Sequence, residues 1–314
     1  MPPPRRRAVP SRTRERDVDQ PDPSPRSADP DGGGSPRGAL TFVGNATTVL
    51  RLGSFTLLTD PNFVRKGQRV HLGYGLFSKR RFDPALTPAQ LPAYDALVLT
   101  HLHGDHFDGV ARRQLPRQPP VVTTGAAADK LRKWGFAGAT GLDHWATWET
   151  TRGEERLRVT AVPGRHGPLG VHRLLPPVIG TVLDLETRGP APGITPTGAG
   201  WRRLLRVYIT GDTLDMPRLD EVGARFPDVD VMVTHLGGTR AFGVLVTMDG
   251  RQGTRLVERI RPPVVVPVHF DDYTVMRSPL SDFVDEMGRR GHAALLRTVG
   301  RGATVDLFPA AHSG

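Results

Sequence analysis

Apolar residues in this chain come in short runs, and from residue 39 onward most of these runs end in glycine, proline, asparagine or aspartate. Leu40–Val43 and Thr47–Arg51 are two such runs joined through Gly44-Asn45, and Phe55–Leu58 is a third, closed by Thr59-Asp60-Pro61. β-rich runs punctuated this closely predict strands, and their spacing predicts a mainly antiparallel sheet rather than a βαβ start. Further strands are predicted at Asp95–Thr100, Val121–Thr123, Leu157–Val162, Val178–Leu185, Arg203–Ile209, Val229–Val233 and Val264–Val268. Helical spacing marks Ala126–Trp134, with Thr124 or Gly125 near the N-cap, Met248–Ile260, capped by Thr247, and Leu280–Arg290. Residues 64–93 carry few periodic signals but contain Gly67, Gly73, Gly75 and Lys79-Arg80-Arg81, which predicts a long loop near the mouth of a site. The stretch 189–200 predicts a flexible connector.

The recurring feature is a residue suited to metal binding just after a predicted strand. The densest case is Thr100-His101-Leu102-His103-Gly104-Asp105-His106-Phe107-Asp108-Gly109, which follows the apolar Ala96–Leu99. Imidazole nitrogen and carboxylate oxygen suit zinc, manganese or iron, and they chelate best from one stiff piece of backbone. If the strand continues through them, His101 and His103 point to one face. A turn at Gly104 then lets Asp105 and His106 reach a second point nearby. Two ligands for one ion and two for its neighbour is the natural reading, and paired metals are a common hydrolytic device. His166, Asp212, His235 and His269 each follow a predicted strand in the same way.

Composition changes this picture in three places. The chain has 314 residues, 38% of them hydrophobic, which is enough for a substantial core. No run approaches the ~18–20 apolar residues of a membrane span, and a cytoplasmic location is expected. The net charge of +10 is almost all arginine, since Lys66, Lys79, Lys130 and Lys133 are the only lysines. Such charge favours a small anionic substrate. It does not point to nucleic acid without an aromatic stacking platform or an added binding module. The absence of cysteine excludes disulfides and thiolate ligands, so His, Asp and other oxygen donors must hold any metal. Residues 1–38 combine nine prolines, eight arginines and six acidic residues with a Gly32-Gly33-Gly34 run. That segment is expected to be a disordered tail, separate from one domain at 39–314. Arg5-Arg6-Arg7 is not followed by the apolar stretch of an export signal.

The pattern H-x-H-x-D-H after a short strand resembles the metallo-β-lactamase fold superfamily. The downstream residues extend the resemblance in order: His166 after a Pro-Gly turn, Asp212 in Gly211-Asp212-Thr213, and His269 after Pro267-Val268. The resemblance covers residues 40–310. It implies an α/β fold, a four-layer αββα sandwich of two mixed, mainly antiparallel sheets with helices outside. It also implies His101, His103 and His166 at one metal, Asp105, His106 and His269 at a second, and Asp212 bridging both. The lack of cysteine argues against the true β-lactamases of the superfamily that use one at the second metal. The branch of ascorbate-6-phosphate lactonases and N-acyl phosphatidylethanolamine phospholipase D-like hydrolases is most similar, through Leu57-Leu58-Thr59-Asp60-Pro61, Asp95–His101 and Met248. By that resemblance Asp60 supports the metal site from behind, although an Asx turn before Pro61 also accounts for it. Asn45 departs from the pattern, since that branch often has histidine in the matching Gly-His-Ala-Thr.

The implied activity is metal-dependent hydrolysis of an ester, lactone or phosphodiester by hydroxide at two divalent ions, with zinc first and manganese or iron as alternatives. Asp212 and Asp105 are the expected catalytic carboxylates. His235 is expected at the rim, binding substrate or transferring a proton, unless it is simply a surface histidine. Arg165 and the Lys79-Arg80-Arg81 cluster are candidates to hold an anionic group, with surface charge the alternative. A metal-dependent nuclease and a non-haem iron oxidoreductase of the same fold are the alternative activities.

Overall fold

The computed structural model describes residues 38–73, 75–189, 200–241 and 243–308. The expectation of disorder at 1–38 lies, Gly38 apart, outside those residues, as does most of the 189–200 connector. Three antiparallel strands open the chain, β1 (Gly38–Gly44), β2 (Thr47–Leu52) and β3 (Phe55–Thr59). A small hairpin, β4 (Arg69–His71) and β5 (Phe77–Lys79), falls inside the segment expected to be all loop. The strands β6 (Ala96–Val98), β7 (Val121–Thr123) and β8 (Ala139–Gly141) then add in parallel beyond β3, with helices α1 (Gly109–Gln114) and α2 (Gly125–Lys133) in the crossovers.

The second sheet repeats this plan. β9 (Thr147–Arg152), β10 (Glu155–Pro163), β11 (Ile179–Gly189) and β12 (Gly200–Ile209) form an antiparallel meander. Helix α3 (Asp220–Arg225) leads to β13 (Val231–His235), which pairs in parallel with β12. A second hairpin, β14 (Arg240–Ala241) and β15 (Val244–Leu245), precedes α4 (Gly250–Ile260). β16 (Val264–Val268) joins β13 in parallel, and α5 (Leu280–Arg289) follows. The last strand, β17 (Thr304–Asp306), returns to pair with β1, giving the orders β17-β1-β2-β3-β6-β7-β8 and β16-β13-β12-β11-β10-β9.

Side-chain alternation explains the layers. Leu40, Phe42, Leu50, Leu57 and Val98 point into the apolar core shared with Val159, Val182, Leu183 and Val207 of the second sheet. Their neighbours Val43, Val49, Leu58, Leu97 and Val121 point the other way and pack on Ala111 of α1 and on Ala128 and Leu131 of α2. A strand with both faces covered reads as continuously apolar, which is why Ala96–Val98 and Val264–Val268 lack alternation. On the second sheet, Val222, Leu256, Val257, Ile260, Phe283 and Met287 of α3, α4 and α5 join the same core. The result is the four-layer α/β arrangement of helices outside two mixed sheets.

Several expected boundaries move: β13, expected at Val229–Val233, runs Val231–His235, and two further shifts bear on the site. α4 starts at Gly250 with Asp249 as its N-cap, accepting from Gln252 N at 2.9 Å, whereas the Thr247 hydroxyl takes Thr239 N at 2.8 Å. β6 stops at Val98, so His101 and His103 lie on a loop and not on a strand face. Among the described residues no helix is long and apolar enough to cross a membrane.

Candidate metal centre

β3, β6, β10, β12, β13 and β16 all run in the direction that delivers their C-terminal ends to one edge of the sandwich. Asp60, His101, His166, Asp212 and His269 follow these strands, and His235 is the last residue of β13. The loop after β6 is pinned at several points. His106 N and Phe107 N both donate to His103 O, at 3.1 and 2.8 Å. Asp108 caps α1 through Ala111 N and accepts Phe63 N and Val64 N at 2.5 and 2.6 Å. Gly104 is required by proximity, because a Cβ there would sit 2.6 Å from His71 O of the β4–β5 hairpin. At Gly211 both reasons for glycine apply, a φ of +62° and a Cβ position 2.7 Å from Ile179 O.

Three groups of ligand-type atoms result, each with its members within 4.8 Å of one another: His101, His103 and His166; then Asp105, His106, Asp212 and His269; and Asp60, His106 and His235, which shares His106 with the second. All nine residues are buried. His101 Nε2 and His103 Nδ1 converge to 3.0 Å, with the ring of His166 5.1 Å from that of His103. In the second group, His106 Nε2 is 3.3 Å from Asp212 Oδ2, and His269 Nε2 is 3.4 Å from Asp105 Oδ2. The rings of His101 and His106 are 4.1 Å apart, so the first and second groups adjoin. Asp212 belongs to the second group by distance.

The outward nitrogens of three of these rings are held in a manner suited to metal ligation, where the non-ligating N–H donates to a carbonyl or carboxylate. His166 Nδ1 meets Val246 O at 2.8 Å, His269 Nδ1 meets Leu236 O at 3.1 Å, and His106 Nδ1 faces Asp60 Oδ2 at 3.4 Å. Buried atoms of the centre are left without a hydrogen-bond partner, among them His103 Nε2, His106 Nε2, Asp105 Oδ1 and Asp212 Oδ1. Unsatisfied buried donors and acceptors are costly and rare, and four in one cluster fit a divalent cation.

Asp60 is buried and does more than make a turn. It accepts Thr100 N at 2.8 Å and places Oδ2 3.4 Å from both His106 Nδ1 and His235 Nε2. The Thr47 hydroxyl holds this loop by donating to Asp60 O at 2.7 Å. His235 does not reach the rim: it is 1% exposed, stacked at 14° on His106, with its Nε2 on Asp60. The expectation of a rim residue fails because Asp60 draws this side chain behind His106. Arg80 is corrected too, being fully buried, with its guanidinium on Asp272 at 3.2 Å and on Asn62. Asp272 in turn accepts Asn45 N at 2.8 Å. Arg165 is only half-buried, and Lys79 and Arg81 are exposed.

Asn45 was legible only as a departure from a pattern, and the structure gives it a position. Its Nδ2 donates to Asp105 O at 2.7 Å, and its carbonyl accepts His269 N at 2.9 Å. Asn45, Asp60 and His269 have φ of 55°, 37° and 58°. Left-handed backbone at non-glycine residues stores strain, and here three such residues touch one site.

Burial and neighbouring charge divide the titrating groups. Burial, reinforced by His106 and His103, holds His101 well below the ordinary histidine range. Burial and His166 bring His103 to about 3. Burial also outweighs Asp212 at His166 and Asp60 at His235, so both are lowered. His106 goes the other way: burial opposes its charge, yet Asp212, Asp60 and Asp105 together hold it well above the usual range. His269 is raised against burial chiefly by Asp212. Asp212 is held well below the carboxylate range, since His269 and His106 outweigh its burial.

Over the centre lies a chamber of only about 20 Å3, bounded by His103, Asp105, His166 and Asp212. Its cover is mainly apolar, from Leu72 and Leu76 of the first hairpin, Ala241 and Val246 at the second, and Leu175, with Thr239 the polar exception.

Residues 56–270 match the model of the beta-lactamase superfamily domain, and the chain belongs to that family. A metal-dependent hydrolase of Salinibacter ruber is 25% identical over 272 residues, covering 85% of this chain and 99% of that protein. An uncharacterized protein of Mycobacterium tuberculosis is 25% identical over 264 residues, 81% of this chain, and the match spans 64% of that protein's length. Among solved structures, the isothiocyanate hydrolase from Delia radicum gut bacteria superposes with a TM-score of 0.68 at 19% identity, covering 86% of this chain and all of that one. That likeness is one of fold.

Proposed function

We propose that this chain is a metal-dependent hydrolase whose centre takes two divalent cations and cleaves an ester, lactone or phosphodiester of small size. One observation carries the reading: seven buried imidazole and carboxylate side chains converge in two adjoining groups, with ligand atoms left unpartnered at their meeting point. Family membership and the named activity of the Salinibacter relative support it.

In this reading His101, His103 and His166 would hold one cation and Asp105, His106 and His269 the other, with Asp212 as the carboxylate they would share. The donor set is nitrogen and oxygen without sulfur, which suits zinc and also admits manganese or iron. Bound divalent ions would acidify water and polarise the scissile group. The protein's own part is positional. Asp105 Oδ1 and Asp212 Oδ1 accept no hydrogen bond, so they are the oxygens that would face the ions and orient a water held there. The apolar cover excludes bulk solvent and strengthens those interactions. Asp60 fixes the ring of His106, and His235 acts through Asp60 rather than on substrate. A chamber of about 20 Å3 under such a cover favours a small reacting group over a nucleic-acid strand. Leu57–Pro61, Asp95–His101 and the placement of Asp60 support a position in the lactonase and phospholipase D-like branch. The domain is taken as 39–314.

Elemental analysis after loading with zinc, manganese or iron, then a panel of bis-p-nitrophenyl phosphate, lactones and RNA, tests this. Two metals per chain and turnover of a small ester, lactone or phosphodiester are expected. One metal or fewer at saturation overturns the dinuclear reading, and turnover of RNA alone moves the chain to the nucleases.

A further inference from the structure

The chamber over the centre has room for a water molecule or a reacting group, not for the body of a substrate. A cleft of about 500 Å3 begins where it ends, and His103, Leu72 and Leu175 line both spaces. That volume is in the range of small-molecule pockets. One wall is apolar, built from Leu102, Phe107, Trp134, Leu174 and Pro176. Phe107 directly follows His106, and its ring stacks on Trp134 at 6.3 Å and 19°, so this wall is tied to the centre itself. The remaining side chains of the cleft include Lys130 and Arg173, and no lining residue is a carboxylate. Both cations are exposed, and among the described residues neither forms a salt bridge. Lys130 Nζ sits 5.2 Å from the ring centroid of Trp134, which places charge at the margin of the apolar wall.

We propose that this cleft binds an amphipathic anion, an aryl or acyl body against Trp134 and Phe107 with its carboxylate or phosphate on Lys130 and Arg173, while the scissile group enters the chamber past His103. This deepens the hydrolase reading and rests on it for the fate of the scissile group, but not for binding. Lys130 and Arg173 thereby replace Arg80, which is buried, as the residues that select an anion. An apolar surface supplies most of the affinity, and two cations without competing carboxylates select among molecules that share that body.

The test is calorimetric titration of the full chain, zinc-loaded and metal-free, with 4-phenylbutyrate, phenyl phosphate and neutral 4-phenylbutanol. An anion is expected to bind roughly tenfold or more tightly than the alcohol in both forms, as charge-assisted contacts predict. The stronger of the two anions tells carboxylate from phosphate. Lys130→Glu with Arg173→Glu should abolish the preference and leave the alcohol unchanged, and the milder Gln pair should shift it in the same direction. Trp134→Ala should weaken anion and alcohol together. Equal binding of anion and alcohol overturns the proposal. So does anion binding that survives the Glu pair, because the ligand is then held by the centre. Since no turnover is needed, a chain that binds these probes but hydrolyses nothing in the substrate panel keeps the cleft and loses the hydrolase reading.

Discussion

Three imidazoles form one half of the candidate centre, and the other half mixes two imidazoles with two carboxylates. The two halves handle buried charge in opposite ways. In the first, burial and mutual repulsion keep the rings neutral, with His103 brought to about 3. In the second, Asp212, Asp60 and Asp105 raise His106 well above the usual histidine range against the pull of burial, and Asp212 and Asp105 raise His269. The first half is thus a preformed neutral ligand set. In the second, the carboxylates favour protons on the imidazoles, which a cation would have to displace. The difference teaches that the halves should differ in metal affinity, in pH response and in dependence on surrounding residues.

The largest effect should come from the residue that binds the second half together. Asp212→Ala removes the carboxylate that pairs with His106 and His269. In the metal-free chain, taking one partner from a buried ion pair costs about 3–5 kcal/mol, read as a lower Tm. In the metal-loaded chain, loss of several kcal/mol of electrophilic assistance lowers hydrolysis roughly a thousandfold or more. Elemental analysis should show the second half empty. His101→Ala should instead empty the first half and leave His106 and His269 paired. If both variants lose the same metal, the halves are not separate.

The pH response sharpens the comparison. A group with a raised pKa must shed its proton before a cation can bind, so metal affinity in the second half should climb as pH rises through the neutral range. Groups with lowered pKa are already neutral there, so affinity in the first half should stay flat until acid conditions. Loading near pH 7 in weak buffer should therefore release protons from the second half and essentially none from His269→Ala, in which the first half alone fills. Equal release from both would refute the assigned protonation.

Much of this was legible in the sequence, for a physical reason. A ligand at a strand's C-terminal end leaves a short local signature, an apolar run followed by His or Asp, and His166, Asp212 and His269 all carried it. His235 carried the same signature, and there it misled. A strand end says which edge of the sheet a side chain reaches, not which way it turns, and Asp60 decided that from 175 residues away. Arg80 failed similarly, because its partner Asp272 is 192 residues distant. The β4–β5 hairpin was read as loop because its strands are three residues each, too short to show a period. β17, a return strand next to β1, gave no local cue either.

Residues behind the centre should matter less than its ligands, and only to the second half. Asp60→Asn weakens the contact on His106 Nδ1 and should cost about 10–100-fold in second-half metal affinity or activity. His235→Ala should cost less, since it acts through Asp60 and lies on none of the chamber walls. Its KM should be unchanged. A raised KM with full metal content would return His235 to the substrate.

The smallest effect belongs to Asn45, which touches only backbone atoms of the second half. Its Nδ2 holds Asp105 O at 2.7 Å, while its φ of 55° puts it in the left-handed region. The two features separate by substitution. Asn45→Gly removes the hydrogen bond, worth about 1 kcal/mol, without adding strain. Asn45→Ala removes the bond and keeps a Cβ in that backbone without the polar side chain that lets Asn tolerate it, leaving it roughly 1–2 kcal/mol below Gly. Denaturant titration should therefore rank Ala below Gly. Metal competition should show a few-fold loss, confined to the second half, in both variants, because both free the Asp105 carbonyl. Equal stability of Gly and Ala would mean that the turn relaxes when Asn45 is replaced. An unchanged second half would mean that Asp105 is held by the His103–Phe107 turn without Asn45.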